Sequence, residues 1–271
     1  MPSKLISIPF FLLTLVFLYL TWQYGESYSY FLIFLVIALA VIYALGPQID
    51  WWWYKRNPPE IDRPMRNLLI KYLPFYNELS VTDKQKFRNR MALYIEAVDF
   101  IPKGWEKIPP DVQGVIAANI TRMTFDQEDF LLSKFERIVI YRRPFPSPQF
   151  PKKFHASEIF EKDGVLLFSA EQVMWTFLQP EQYYNLVLHE YIKVYQLSYP
   201  NKIYPISSEV SWELLTKISG FNQEHVVNLI GLPDIDPVLV SGTIYFTHPK
   251  KYVKFAADLY KKWHTIFNPQ N

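Results

Sequence analysis

Leu186-Val187-Leu188-His189-Glu190-Tyr191-Ile192-Lys193-Val194-Tyr195-Gln196 is an apolar run with a His-Glu pair at its centre, and the rest of the chain is organised around it. Two histidines at i and i+4 share one helix face, where they can grip a Zn²⁺ while the glutamate beside the first acts as general base. His189 and Glu190 supply the first half of that HExxH pattern. Position i+4 is Lys193. The helix is expected to begin near Pro180-Glu181, a proline and an acidic residue suited to a first turn.

Composition limits what chemistry is available. The 271 residues carry a formal net charge of +2, which gives no electrostatic reason to expect a nucleic-acid partner. Aromatic residues make up 18% and the hydrophobic set 50%, both raised by the first fifty or so positions. Cysteine is absent, so disulfides, thiol nucleophiles and Cys-ligated zinc are excluded. A metal site must use His, Asp or Glu.

Residues 5–22 read LISIPFFLLTLVFLYLTW and residues 30–46 read YFLIFLVIALAVIYALG, neither with a charge. Each approaches the roughly 20 apolar residues that cross a bilayer core as a helix. A cleaved signal peptide is the rival for the first run, but no small-residue cleavage site follows it. The expectation is a two-helix transmembrane hairpin. Glu26 is the one charge in the connector, whereas Lys4 precedes the first span and Lys55, Arg56, Arg63, Arg66 and Lys71 follow the second. The positive-inside rule then places both termini and the soluble part on the cytosolic side of the cytoplasmic membrane. Trp51, Trp52, Trp53 and Tyr54 suit an aromatic belt, and Asn57-Pro58-Pro59 a stiff connector. The domains expected are 1–56, hairpin and interface, and 57–271, a cytosolic domain.

In that second part, a short amphipathic segment is expected over 64–76, ending near Leu73-Pro74, with helices over 80–100, where Thr82 and Gln85 form a capping box, and from Pro109-Pro110 to about Met123. The period changes after Phe135. Residues 137–141, 157–160 and 165–169 read as strands, the last two joined through Lys162-Asp163-Gly164, with a proline-broken loop over 142–151. Helices follow over 206–218 and 222–230, separated by Gly220. Residues 249–267 read as one amphipathic closing helix whose lysine face is solvated. The fold class expected is α+β, mainly helical with a small sheet.

The succession of segments from Leu73 onward resembles the Mlc titration factor family of zinc-dependent metallopeptidases. The matching pieces are Leu73-Pro74, Leu79-Ser80-Val81-Thr82, Ile138-Val139-Ile140-Tyr141-Arg142-Arg143-Pro144-Phe145 and Asn185-Leu186-Val187-Leu188-His189-Glu190. The resemblance implies a zincin-like site of two motif histidines, a glutamate base and a later carboxylate ligand. By position, His189 matches the first ligand and Glu190 the base. Lys193 stands at the second histidine, and Gln196 where the family has an aspartate. Counting back without gaps from Tyr245-Phe246-Thr247-His248-Pro249 puts the ligand glutamate of the family at Asp236.

A protonated lysine has no lone pair, and deprotonating it at neutral pH costs about 4 to 5 kcal/mol from an ordinary pKa of about 10.4. Zinc would be left with His189, Asp236 and water, short of the three protein ligands of catalytic sites. One reading places the Lys193 ammonium in the metal's space, paired with Glu190 and Asp236. Its rival lets Lys193 run out to solvent. His155, His225, His248 and His264 show no ligand spacing and read as surface or capping residues, with His225 or His248 as the alternative source of a displaced ligand, while Glu209 and Glu213 are spare carboxylates.

Two functions follow from different classes. One is a membrane-tethered pseudopeptidase that needs no cofactor and binds a cytosolic protein or peptide at the old cleft. The other is an active, atypical zinc metallopeptidase at the cytosolic membrane face, with zinc on His189 and Asp236. A plain membrane-anchored scaffold is a third. The family resemblance implies a cytosolic protein partner, because its namesake binds a transcriptional repressor.

Overall fold

The computed structural model describes residues 1–147, 149 and 153–268. It comprises two compact units, Met1–Pro59 and Glu60–Asn271. The first holds α1 (Pro2–Tyr24), a 3₁₀ turn (Glu26–Tyr28), α2 (Ser29–Ala44) and α3 (Gly46–Arg56). Gly25, at φ 108°, provides the reversal after α1 that a side chain would disfavour. Phe17 and Phe31 stack at 4.9 Å between the two long helices, and Asp50 accepts from Ser3 N and Ser3 Oγ at 2.7 and 2.9 Å. Large apolar side chains stay exposed along α1 and α2, Phe34 at 77% for example. α1, Pro2–Tyr24, and the helical run Glu26–Ala44 made by the 3₁₀ turn and α2 are each long and apolar enough to cross a membrane. The tryptophans continue as helix α3, where Lys55 and Arg56 lie over Trp51 and Trp52 at 5.2 and 3.8 Å.

The second unit opens with α4 (Arg63–Tyr72), capped by Asp62 accepting from Met65 N at 3.0 Å, and α5 (Pro74–Glu78). The amphipathic segment expected over 64–76, with its end near Leu73-Pro74, stops there, because Pro74 cannot continue α4; α5 carries the last residues as a separate turn. Next comes α6 (Val81–Ala97), whose cap is Ser80 Oγ accepting from Asp83 N at 3.1 Å, not Thr82. The helix ends before 100 because Asp99 N is drawn to Glu136 O, opening an unexpected strand β1 (Asp99–Lys103). After α7 (Pro110–Met123) come β2 (Arg137–Tyr141), β3 (Ser157–Phe160) and β4 (Val165–Ser169), all three as read from the sequence. Pro148, Phe150 and Pro151 of the expected loop lie outside the described residues.

The sheet order is β1-β2-β4-β3, with β1, β2 and β4 parallel and β3 antiparallel on the far edge. Ile138, Ile140, Leu166 and Phe168 are fully buried and put the sheet in the core. From β4 the chain passes directly into α8 (Ala170–Leu178) and then α9 (Leu186–Ser198), the His-Glu helix. A 3₁₀ turn (Ser207–Glu209) and α10 (Trp212–Ser219) replace the one helix expected over 206–218; α11 (Gln223–Ile230) follows a left-handed Gly220. The apolar α12 (Pro237–Thr247) crosses α9 closely at Gly242, where a Cβ would stand 3.0 Å from both Ile192 Cγ2 and Trp263 Cη2.

The closing segment is two helices, α13 (Pro249–Phe255) and α14 (Ala257–Phe267), broken at Ala256. The break brings Tyr252 and Trp263 to one partner on α12: Tyr252 OH lies 2.5 Å from Ser241 Oγ, and Trp263 Nε1 donates to it at 2.8 Å. A straight helix over 249–267 is given up for two fully buried aromatic anchors, each contributing about 2 to 3 kcal/mol of burial.

Candidate active-site helix

α9 lies within the core, so its polar side chains are held by specific partners. Asn185 caps it, accepting from Leu188 N at 2.9 Å, and its Nδ2 donates to Asn119 Oδ1 on α7 at 2.8 Å. Asn119 in turn donates to Val115 O at 2.9 Å. This cap sets the start of the helix at Leu186. The start expected near Pro180-Glu181 falls instead in a turn, closed by Gln182 N donating to Gln179 O at 3.0 Å.

His189 is 3% exposed, and its Nδ1 lies 2.8 Å from Tyr184 OH. Burial first, and the Lys193 charge second, push its pKa down to about 3, so the ring is neutral across the physiological range. Glu190 is 2% exposed and accepts from Ser157 Oγ of β3 at 2.7 Å. Burial raises its pKa to about 7; the Ser157 hydrogen bond and Lys193 act downward, and Glu158 upward. Glu158 is itself 3% exposed and raised by burial, with Ser147 Oγ donating to its Oε1 at 3.1 Å. Its Oε2 has no hydrogen-bond partner among the described residues. The edge strand and α9 thus share a pair of buried carboxyl groups.

Lys193 leaves this interior. Its Nζ lies 2.7 Å from Glu161 Oε1, just beyond β3, with both side chains partly exposed. Its charge still acts on His189 and Glu190, yet its ion-pair partner is Glu161. Asp236 is exposed and caps α12, accepting from Val238 N at 2.9 Å. No hydrogen bond or ion pair joins it to His189, Glu190 or Lys193 among the described residues. Gln196 is half-buried on α9.

The other histidines are spread through the unit. His155, expected at the surface or in a cap, is fully buried, with Nδ1 2.9 Å from Gly231 O. His248 Nδ1 lies 2.9 Å from Thr247 Oγ1, and His264 Nδ1 lies 3.1 Å from Tyr245 OH. Glu209 pairs with Lys262. Among the described residues no three His, Asp or Glu side chains converge to hold a metal ion. With a lysine at the second ligand position and Asp236 engaged as a cap, the donor set does not fit an ordinary three-ligand zinc site. Sequence reasoning misses Ser157, Glu158, Glu161 and Tyr184; only the proximity of Tyr184 to the motif points to one of them.

The His-Glu helix is laid against the edge strand of a small mixed sheet. The family profile described as glucose-regulated metallo-peptidase M90 matches residues 49–194, and the chain belongs to that family. The match takes in His189, Glu190 and Lys193 and stops before Asp236. An uncharacterised protein of Synechocystis sp. is 22% identical over 167 residues, 56% of this chain and 59% of that protein. The chain therefore spans less than two thirds of this relative.

Proposed function

We propose that this is a membrane-tethered pseudopeptidase: residues 1–56 anchor it, residues 57–271 lie in the cytosol, and the former catalytic cleft binds a protein or peptide without cutting it. The observation that carries this reading is Lys193, a cation at the second ligand position whose Nζ is drawn 2.7 Å from Glu161. A charged ammonium there cannot ligate a metal and repels one.

Elemental analysis of the purified full chain and of Lys193→His tests the proposal. Zinc well below one per chain is expected in the unmodified protein. Stoichiometric zinc there would overturn it. The intact His189-Glu190 pair supports the alternative of an active, atypical zinc metallopeptidase, which requires that same zinc together with peptide hydrolysis abolished in Glu190→Gln.

A further inference from the structure

The C-terminal helices carry a basic and apolar face that lies outside the family match. Lys250, Lys251 and Lys254 are exposed on α13, at helical spacings that set Lys254 beside both of the others. Lys217, exposed on α10, lies 4.7 Å from the Phe255 ring centroid, and Lys254 lies 5.5 Å from it. Two ammonium groups therefore flank one aromatic ring, and two more stand a helical turn away. Phe255 is 37% exposed and its neighbour Val253 46%, so apolar surface sits among the charges. Glu213 lies on α10 and Asp258 on α14, and Glu181 and Lys251 both act on His248. None of these three carboxylates forms an ion pair with the lysines among the described residues.

Like charges gathered without ion pairs among the described residues repel one another, and the arrangement is relieved by an anionic surface that can also accept apolar side chains. We propose that this face docks on anionic phospholipid headgroups, with Phe255 and Val253 entering the headgroup boundary and the lysines neutralising phosphate. The inference rests on the reading of α1 and α2 as a membrane anchor. α3 and the connector over 57–62 together reach no more than about 40 Å, so an anchored chain would hold lipid within reach of its second unit. Charge complementarity then favours lipid over a soluble polyanion, because the lipid is held nearby by the same chain.

The test uses the full chain in nanodiscs of phosphatidylcholine alone or with phosphatidylglycerol added. Acylation rates of Lys250, Lys251 and Lys254 are read by mass spectrometry against exposed Lys103. Acylation about tenfold slower on the anionic discs, and restored by raised salt, is expected. Equal rates in the two discs would overturn the docking. Flotation with phosphatidylcholine vesicles after an alkaline wash tests the anchor separately. A chain that does not float has no anchor, and the docking falls with it; a chain that floats yet shows equal rates has an anchor and no docking face.

Discussion

Ser157 Oγ donates a 2.7 Å hydrogen bond to Glu190 Oε1, joining the edge strand to the His-Glu helix through two residues closed to solvent. One residue earlier on that helix, His189 is as deeply buried as Glu190, and the two titrate in opposite senses. The His189 pKa is depressed from 6.5 to about 3, so its contribution is present above the unfolded pKa and is lost as pH falls from 6.5 towards 3. The Glu190 pKa is raised from 4.5 to about 7, so its contribution is present below the unfolded pKa and is lost as pH rises from 4.5 through 7. Between 4.5 and 6.5 the slopes oppose each other. Stability of the full chain in detergent, followed by denaturant midpoint, should therefore be flat in that window and fall on either side. In Glu190→Gln the opposing slope is removed, so stability should climb from pH 4.5 to 6.5, and at pH 8 the variant should exceed the unmodified chain by on the order of 3 kcal/mol.

Tyr184 fixes the other end of this arrangement. Tyr184→Phe removes the only hydrogen-bond partner described for His189 Nδ1 and leaves a buried ring nitrogen unsatisfied. The expected cost is about 1 to 3 kcal/mol. Tyr183→Phe, at a partly exposed neighbour, should change the denaturant midpoint by less than about 0.5 kcal/mol. Equal effects of the two substitutions would show that the Tyr184 hydroxyl is dispensable.

The strands of the inner sheet are legible in the sequence because Ile138, Ile140, Leu166 and Phe168 alternate with less buried neighbours or sit in short apolar runs. β1 is not, because Phe100-Ile101-Pro102 extends an apolar helix pattern and a proline argues against a strand. Pro102 is tolerated there because β1 is an edge. His189, Glu190 and Lys193 are legible as a group because one helix fixes their spacing. The pairing of Lys193 with Glu161 is not, because it depends on where the antiparallel β3 is laid against α9, which no local pattern encodes. The break at Ala256 is hidden for the same reason: Tyr252 and Trp263 converge on Ser241 of a distant helix.

Gly242 is the close approach that lets α12 lie on α9. A Cβ there would stand 3.0 Å from Ile192 Cγ2 and from Trp263 Cη2, so Gly242→Ala forces one of these buried side chains to shift. The helix-propensity gain of about 1 kcal/mol is outweighed by overpacking of about 1 to 3 kcal/mol. A net loss in thermal stability is expected. Adding Ile192→Val, which keeps Cγ2 but removes the Cδ1 methyl 3.1 Å from that Cβ, should restore part of it, and a double variant no better than the sum of its singles would argue against a shared contact.

Lys193 and Glu161 are partly exposed, so their ion pair contributes little to stability while still setting the field at the buried pair. A double-mutant cycle of Lys193→Ala and Glu161→Ala should give a coupling of about 0 to 1 kcal/mol, shrinking with added salt. The consequence inside is larger in kind. Lys193 holds the Glu190 pKa down and takes part in depressing that of His189, so Lys193→Ala should raise both. Glu190 would then be more fully protonated at neutral pH, read as growth of its carboxylic-acid band in infrared difference spectra against Glu190→Gln. An unchanged band would mean that the ammonium, turned towards Glu161 and out of the space a metal would take, does not act on Glu190 from there.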